Sequence, residues 1–461
     1  MRRTDIETFR QSDMRNVLNC GQRYAYDTMM HVMASGSEKP RNTLLMGDAG
    51  TGKSFEIDAI VGSFEANGLS VAKMAYMGVT AERIGGVTVN SAFKVGIGVS
   101  EPRLNDAQKE NARNVISKMD LIVIDEISLV PSYLLDIAYL QLVIANQVRK
   151  SHNKPPVRLL FIGDFAQLIP VVDRDEEPAY KKIYGGSFKN GFCFEAKCWD
   201  ALDIRPLFLD EIMRQKDAEF SGMLAKIRNG NVLGVYDIEA KRSKTVIEDA
   251  PWICGFRKTV AKINGQHLAK LPGKLTRSEA EISGRARIGQ TNLEKTLEFK
   301  KDARVMMLQN TEYYKNGTLG YIDDINEITG EVRIRLDDGA TVSVNKIAKE
   351  VMATGIGPDG NLALNVVGAI RQYPFMLAWA MTIHKAQGIT LKAVNIVPEF
   401  FEKGQLYVAI SRATSVENIY VEGRLDVSDV KICKQARDFI SDMRDKFGEF
   451  KIRYPEMPEL Q

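Results

Sequence analysis

Gly47-Asp48-Ala49-Gly50-Thr51-Gly52-Lys53-Ser54 sets two glycines, a lysine and a hydroxyl at the spacing that wraps a phosphate chain. In such a loop the backbone N–H groups of Ala49, Gly50, Thr51 and Gly52 curl around the anion. Lys53 sits against the outer phosphates, and the Ser54 hydroxyl holds Mg2+. An apolar run, Thr43–Met46, precedes the octapeptide, and a helix-like run, Phe55–Val61, follows it. The following helix would turn its positive N-terminal end on the same anion. A glycine-rich turn that merely contained Lys-Ser would need neither flank. The stretch reads as a nucleoside triphosphate site.

Other residues suit the same chemistry. Met119-Asp120-Leu121-Ile122-Val123-Ile124-Asp125-Glu126 is an apolar run ending in two carboxylates. A strand buried on both faces of a parallel sheet looks like this, and such sheets place ligands at their carboxyl ends. One carboxylate is then available to a metal shell and the next can orient and deprotonate water. A third strand, Val157–Asp164, leads to Gln167, which could sense a γ-phosphate or the attacking water. Upstream, Asn19 reads as a helix N-cap. Gln22 in the following first turn has an amide able to offer a donor and an acceptor to adenine. Alone, a glutamine there is ordinarily surface.

These residues need a parallel sheet to gather them. With 461 residues the chain exceeds one hydrophobic core, so several domains are expected. Lys and Arg number 62 against 59 Asp and Glu, a net charge of +3. Nucleic-acid contact must therefore come from a local groove rather than a global field. The five cysteines are scattered and read as reduced thiols in a cytoplasmic setting. No run approaches a membrane span of roughly 20 apolar residues, and the N-terminus lacks a signal-peptide core.

Ser70–Met77 reads as a second buried strand, and Gly85–Lys94 carries hydroxyls, an amide, an aromatic and a base. Small polar groups with one aromatic suit a single-stranded backbone and a stacked base, although an ordinary hairpin has the same composition. A second half is expected to open near Leu207, with a helix over Phe220–Asn229 and a buried strand at Trp252–Phe256. Between about 303 and 371 the pattern turns to short alternating strands, as in a small β-barrel. Helical character is expected to return over Pro374–Met381.

The order of motifs resembles superfamily-1 helicases, in particular the 5′-to-3′ branch of the Pif, Dda and RecD families. The likeness runs from Leu18 to about Val421, through GDAGTGKS, GVTA with GGVTVNSAF, VIDEIS, GDFAQLIPV, EIMRQ with IRNG, VMMLQN with NGTLG, LAWAMTIHKAQG and QLYVAISRA. It implies an α/β chain of two RecA-like, doubly wound P-loop domains. Residues 1–204 would form the first, with an insertion at about 83–112 acting as a strand-separating pin and Phe93 as a wedge or stacking residue. Residues 205–309 and 372–446 would form the second, 310–371 an SH3-like β insertion, and 447–461 a tail.

By the same resemblance Gln22 is the adenine reader, Lys53 the phosphate lysine, Ser54 and Asp125 the Mg2+ ligands, Glu126 the base and Gln167 the γ-phosphate sensor. Arg214 and Arg412 match two arginine fingers from the second domain, and Gly388 falls in a motif that borders the nucleotide. Thr80, Asn90, Ser91, Thr382, His384 and Lys385 match positions that face single-stranded DNA or couple it to the ATP cleft. Asn90 stands where many relatives have His, and Ile169 where many have a second Pro. The first departure changes contact chemistry and the second a local turn.

The implied activity is ATP- and Mg2+-dependent 5′-to-3′ translocation on single-stranded DNA with duplex unwinding. Implied partners are single strands, duplex junctions, and a single-strand-binding protein or replisome component, in a bacterial or phage-infected cytoplasm or, in a eukaryote, the nucleus. Two alternatives are a DNA-stimulated translocase subunit of a recombination or nuclease complex, and a P-loop switch that binds without moving.

Overall fold

The computed structural model describes residues 13–34, 42–96, 98–172, 175–213, 217–288, 291–309, 311–314, 316–356 and 362–453. The chain divides into two compact units. One comprises Met1–Met213, Met352–Asn365 and Lys434–Gln461, and the other Arg214–Val351 and Val366–Cys433.

The first unit is built on six parallel strands: β1 (Thr43–Gly47), β2 (Val71–Ala75), β3 (Val87–Thr88), β4 (Leu121–Asp125), β5 (Arg158–Gly163) and β6 (Arg205–Leu209), in the order β3-β2-β4-β5-β1-β6. Every residue of β1, β4, β5 and β6 is buried, which is why these strands are continuous apolar runs between polar ends rather than alternating ones. Helices α1 (Cys20–Ala34), α2 (Lys53–Ala66), α3 (Gly78–Arg83), α4 (Val89–Ala92), α5 (Asp106–Asn114), α6 (Ser132–Ser151) and α7 (Glu177–Tyr184) connect or flank them. Tyr26 and Met30 of α1 and Ile57, Ile60 and Phe64 of α2 join Leu45, Val123, Leu160 and Leu207 in one core.

Three expectations are corrected here. The run at Leu207 does not open the second half. As β6 it pairs with β1, Leu45 opposite Leu207, and closes the edge of the first sheet. The segment 83–112 does not project as a whole, because β3 pairs with β2 and α5 is tied down by Asn111, which donates to Ala92 O at 3.0 Å and Gln141 Oε1 at 2.9 Å. The C-terminal helix, Lys434–Arg453, belongs with the first unit rather than the second. Its Phe439 stacks on Phe194 (4.1 Å, 11°) and meets Phe165 edge-on, and its Phe447 packs on Tyr24 and Phe208.

The second unit has its own parallel sheet. Helices α8 (Ala218–Arg228) and α9 (Leu233–Lys241) lead to β7 (Trp252–Cys254) and α10 (Arg257–Lys270). Then come β8 (Thr276–Glu279), β9 (Glu281–Gly284), β10 (Thr296–Phe299), β11 (Arg304–Met307), β12 (Leu319–Ile325), β13 (Val332–Leu336), β14 (Thr341–Val344), β15 (Ile347–Ile356), β16 (Leu362–Gln372) and β17 (Phe375–Leu377). The chain returns through β18 (Ala380–Thr382), α11 (Ile383–Ala386), β19 (Val394–Ile396), α12 (Gln405–Ile410) and β20 (Ile419–Val421). Strands β18-β7-β19-β20 are parallel, whereas β14-β13-β12-β11-β17 form an antiparallel sheet around Phe299, Val305, Ile322, Ile334 and Phe375. This β insertion therefore reaches from Arg304 to Leu377, beyond 310–371 at both ends. Pro374–Met381 is not helical but supplies β17 and the start of β18. Its alternation of large and small apolar groups fits two pleated, buried strands better than one helix face.

Candidate ATP site and nucleic-acid interface

In the first unit β1, β4 and β5 all end on the same edge of the sheet, and each delivers part of the site. After β1 the loop turns back at Gly52, whose φ of 82° is left-handed and which caps α2. A side chain at Gly52 would collide with the Gln22 amide nitrogen as well as strain the backbone. Thr51 Oγ1 donates to Asp48 O at 3.0 Å, and Lys53 Nζ lies 2.8 Å from Gly47 O and 2.9 Å from Asp48 O. Burial pushes the Lys53 ammonium pKa down, and Asp164, Glu126, Asp125 and Asp48 oppose that shift. The lysine is thus held at the loop by backbone carbonyls amid four carboxylates. Ser54, the next residue, is exposed.

The end of β4 carries the paired carboxylates. Asp125 is buried, its Oδ1 accepting the Glu126 N–H at 2.9 Å and its Oδ2 facing Arg83 Nη2 at 3.1 Å. Glu126 adopts φ 51°, a left-handed conformation rare for a non-glycine residue and typical of backbone strained at functional sites. Its Oε2 is shut off from water and has no hydrogen-bond partner among the described residues. Burial first, then the Asp125 charge, push the Glu126 carboxyl up to about 7, against the pull of Arg83 and Lys53. A buried, unpartnered carboxylate oxygen with that affinity for a proton suits a base that takes one from water.

After β5, Asp164 fixes Gln167. Its Oδ2 accepts from Gln167 Nε2 at 3.1 Å and its Oδ1 from Ala166 N at 3.1 Å. Gln22 stands at the opposite side of the phosphate loop. Its Oε1 accepts the Asn19 N–H (3.1 Å) while Asn19 Oδ1 accepts the Gln22 N–H (2.8 Å), a reciprocal cap on α1. Gln22 Nε2 also donates to Thr51 O at 3.4 Å, so the amide braces the phosphate loop.

Among the other expected residues, Thr80 lies half-buried on α3. Asn90 turns its amide onto Val95 O (3.4 Å) and Gly96 O (3.2 Å), and the Ser91 N–H donates to Thr88 Oγ1. Phe93 requires correction as a wedge: it is 0% exposed, and its carbonyl accepts from Gln141 Nε2 at 2.7 Å. A ring packed wholly in the core presents no face to a base.

Arg214 lies outside the described residues; its predecessor Met213 donates its N–H to Gly50 O at 2.7 Å. In the second unit Arg412 is 1% exposed and runs its guanidinium along backbone carbonyls. Nε donates to Val408 O (2.9 Å), Nη1 to Ile389 O (3.2 Å) and Ala386 O (3.4 Å), and Nη2 to Ser411 Oγ (2.8 Å). Those carbonyls border the segment of Thr382, His384, Lys385 and Gly388. Thr382 Oγ1 caps α11 by accepting the Lys385 N–H, His384 Nε2 is 3.5 Å from Glu402 Oε2, and Lys385 pairs with Glu294. Arg412 therefore ties the QLYVAISRA helix to the TIHKAQG loop.

The PIF1-like helicase family model matches residues 17–236. The ATP-dependent DNA helicase Pif1 of Campylobacter jejuni is 27% identical over 82% of this chain and 88% of its own. The ATP-dependent DNA helicase PIF1 of Homo sapiens is 32% identical over 83% of this chain, which spans 58% of the human protein. The chain is similar to the PIF1-like helicases over most of its length. Bacteroides sp Pif1 in complex with ADP-AlF4 superposes with a TM-score of 0.77 at 25% identity, covering 93% of this chain and 97% of that one. The same protein bound to single-stranded DNA superposes at 0.64 and 25% identity, over 94% and 98%.

Three residues at these sites were not foreseen. The sequence places Asp164 at a strand end but assigns neither it nor Arg83 a partner; only the sheet sets Arg83 on Asp125 and Asp164 on Gln167. Met213 lies inside the EIMRQ string, yet its bond to the phosphate loop depends on β6 lying beside β1. Among the described residues no group of three or more His, Cys, Asp or Glu could hold a metal ion, and no helix is long and apolar enough to cross a membrane.

Proposed function

We infer that this chain is an ATP-dependent DNA helicase that translocates 5′ to 3′ on single-stranded DNA. The observation that carries this reading is the convergence of Lys53, Asp125, Glu126 and Gln167 from three parallel strand ends onto one phosphate loop. In the proposed cycle Lys53 exchanges its loop carbonyls for the outer phosphates, and Gln22 offers Nε2 to the adenine edge. Ser54 and Asp125 would hold Mg2+: with one exposed hydroxyl and one carboxylate, the set fits an ion that keeps phosphate oxygens and waters as its remaining ligands. When bound, that ion would neutralise charge building on the phosphates. Glu126 takes the proton of a water that Gln167 positions. Arg214 and Arg412 act as the fingers, since a guanidinium stays charged and forks around phosphate oxygens.

Thr80, Asn90, Ser91, Thr382, His384 and Lys385 are proposed to touch the DNA strand or relay its presence. Drawing Arg412 to phosphate would loosen its bonds to Ala386 O and Ile389 O, which links hydrolysis to the segment carrying Thr382 and His384. A single-strand-binding protein or replisome component is the proposed protein partner.

The test is ATP turnover with and without oligo-dT. A motor is strongly stimulated, and Lys53→Ala and Glu126→Gln each cut stimulated kcat by at least about 100-fold, the usual weight of a general base. A rate indifferent to oligo-dT would instead indicate a switch. Strong stimulation without unwinding of a tailed duplex would indicate a translocase subunit.

A further inference from the structure

At the carboxyl edge of the second unit's parallel sheet, three neighbouring strands end in loops fixed to one another. β7 runs into Gly255-Phe256, β19 into the loop carrying Glu399, Phe401 and Glu402, and β18 into α11 with His384. The rings of Phe256 and Phe401 stack with centroids 4.7 Å apart and planes 11° from parallel. Neither is in a core: Phe256 is 47% exposed and Phe401 46%.

The pair is held in place from behind. A Cβ at Gly255 would overlap Glu399 O, so the two loops touch backbone to backbone. Glu399 Oε1 accepts from Thr259 Oγ1 at 2.7 Å and Oε2 from the Phe256 N–H at 3.4 Å. Glu402, next to Phe401, faces His384 at 3.5 Å. Glu399 is thus held by its neighbours and Glu402 lies toward His384, whereas Arg257 and Lys258, which follow Phe256 in the first turn of α10, are exposed.

We propose that Phe256 and Phe401 form a stacking platform for a base of single-stranded DNA, with Arg257 and Lys258 taking the flanking phosphates. This rests on the reading of the chain as a DNA motor and extends its DNA contacts beyond the motif residues. Flat, pre-stacked, half-exposed rings flanked by cations suit a polyanion that carries aromatic faces. The platform also continues from His384, already proposed as a DNA contact, across to β19.

The experiment measures binding of the full chain to oligo-dT and to an abasic strand of equal length. Phe401→Ala and Phe256→Ala are each expected to weaken oligo-dT binding about tenfold, the equivalent of one lost base–aromatic stack. Affinity for the abasic strand should not change, and Phe401→Trp should restore oligo-dT binding. Phe401→Leu, which keeps apolar bulk without a π-face, should behave like the alanine variant and covers the case in which Ala fails to fold. Unchanged oligo-dT affinity in the variants, or an equal loss on both strands, overturns the platform while leaving the motor reading intact. A wild-type chain that does not bind oligo-dT overturns both.

Discussion

At the scale of single residues the site is built from groups that each have a second duty. Arg412 illustrates this best. Its guanidinium reaches three backbone carbonyls and a hydroxyl inside the second unit, so Arg412→Ala strands buried acceptors as well as deleting the proposed finger. Arg412→Ala should therefore lower stability by about 2–4 kcal/mol, as for other broken buried networks, and abolish DNA-stimulated ATPase. Arg412→Lys retains the charge without the fork. It is expected to melt within a few degrees of wild type while losing most turnover, which calorimetry alongside an ATPase assay will check.

Glu56 is a different case. It lies on α2 two residues past Ser54, is 0% exposed, and neither carboxylate oxygen has a hydrogen-bond partner among the described residues. Burial, then the Asp27 charge, raise its pKa to about 9. In the unfolded chain the same carboxyl ionises near its ordinary 4.5, so between about 4.5 and 9 the folded state binds more protons. Stability must then fall as pH rises through that window. Glu56→Gln removes the contribution, so the drop in urea midpoint from pH 5.5 to 8 should be clearly smaller in the variant. An identical drop would show that Glu56 is ionised in the folded protein.

At the scale of elements, the C-terminal helix contributes to the ATP site without touching it. Phe439 packs on Phe165, between Asp164 and Gln167; Phe447 packs on Tyr24, in the helix capped by Asn19 and Gln22. Arg444 lies 4.0 Å over the Phe208 ring and 2.6 Å from Asp210, on the strand that leads to Met213. One helix thus backs the Asp164–Gln167 loop, the helix capped by Asn19 and Gln22, and the segment leading to Met213. Phe439→Ala opens a cavity among Phe165, Phe194 and Trp199 and should cost about 3–5 kcal/mol. Truncation before Lys434 should do more, measured as loss of a cooperative melting transition.

What was legible in the sequence follows the same division. The phosphate loop and the Asp125-Glu126 strand end were readable because their chemistry is carried by contiguous residues. The return of β6 to β1, the C-terminal helix on the first unit and the strands at Phe375–Thr382 were not, because an apolar run does not name the edge it will join. Phe93 is indistinct in the sequence for a related reason: an aromatic at a strand end has the same spacing whether it faces a base or the core. Phe256 and Phe401 are 145 positions apart, and only the parallel order β7-β19 brings them together.

At the scale of the whole molecule, a net charge of +3 leaves no long-range field to hold a polyanion, so the proposed DNA contact requires local cations, and Arg257 and Lys258 are exposed for it. Each phosphate they neutralise releases a counterion. The most direct measurement is ATP-driven unwinding of two duplexes that differ only in carrying a 5′ or a 3′ single-stranded tail. The 5′-tailed duplex should be separated, with no product from Lys53→Ala. Separation of the 3′-tailed duplex alone, or of neither while ATP is hydrolysed, would contradict a 5′-to-3′ helicase.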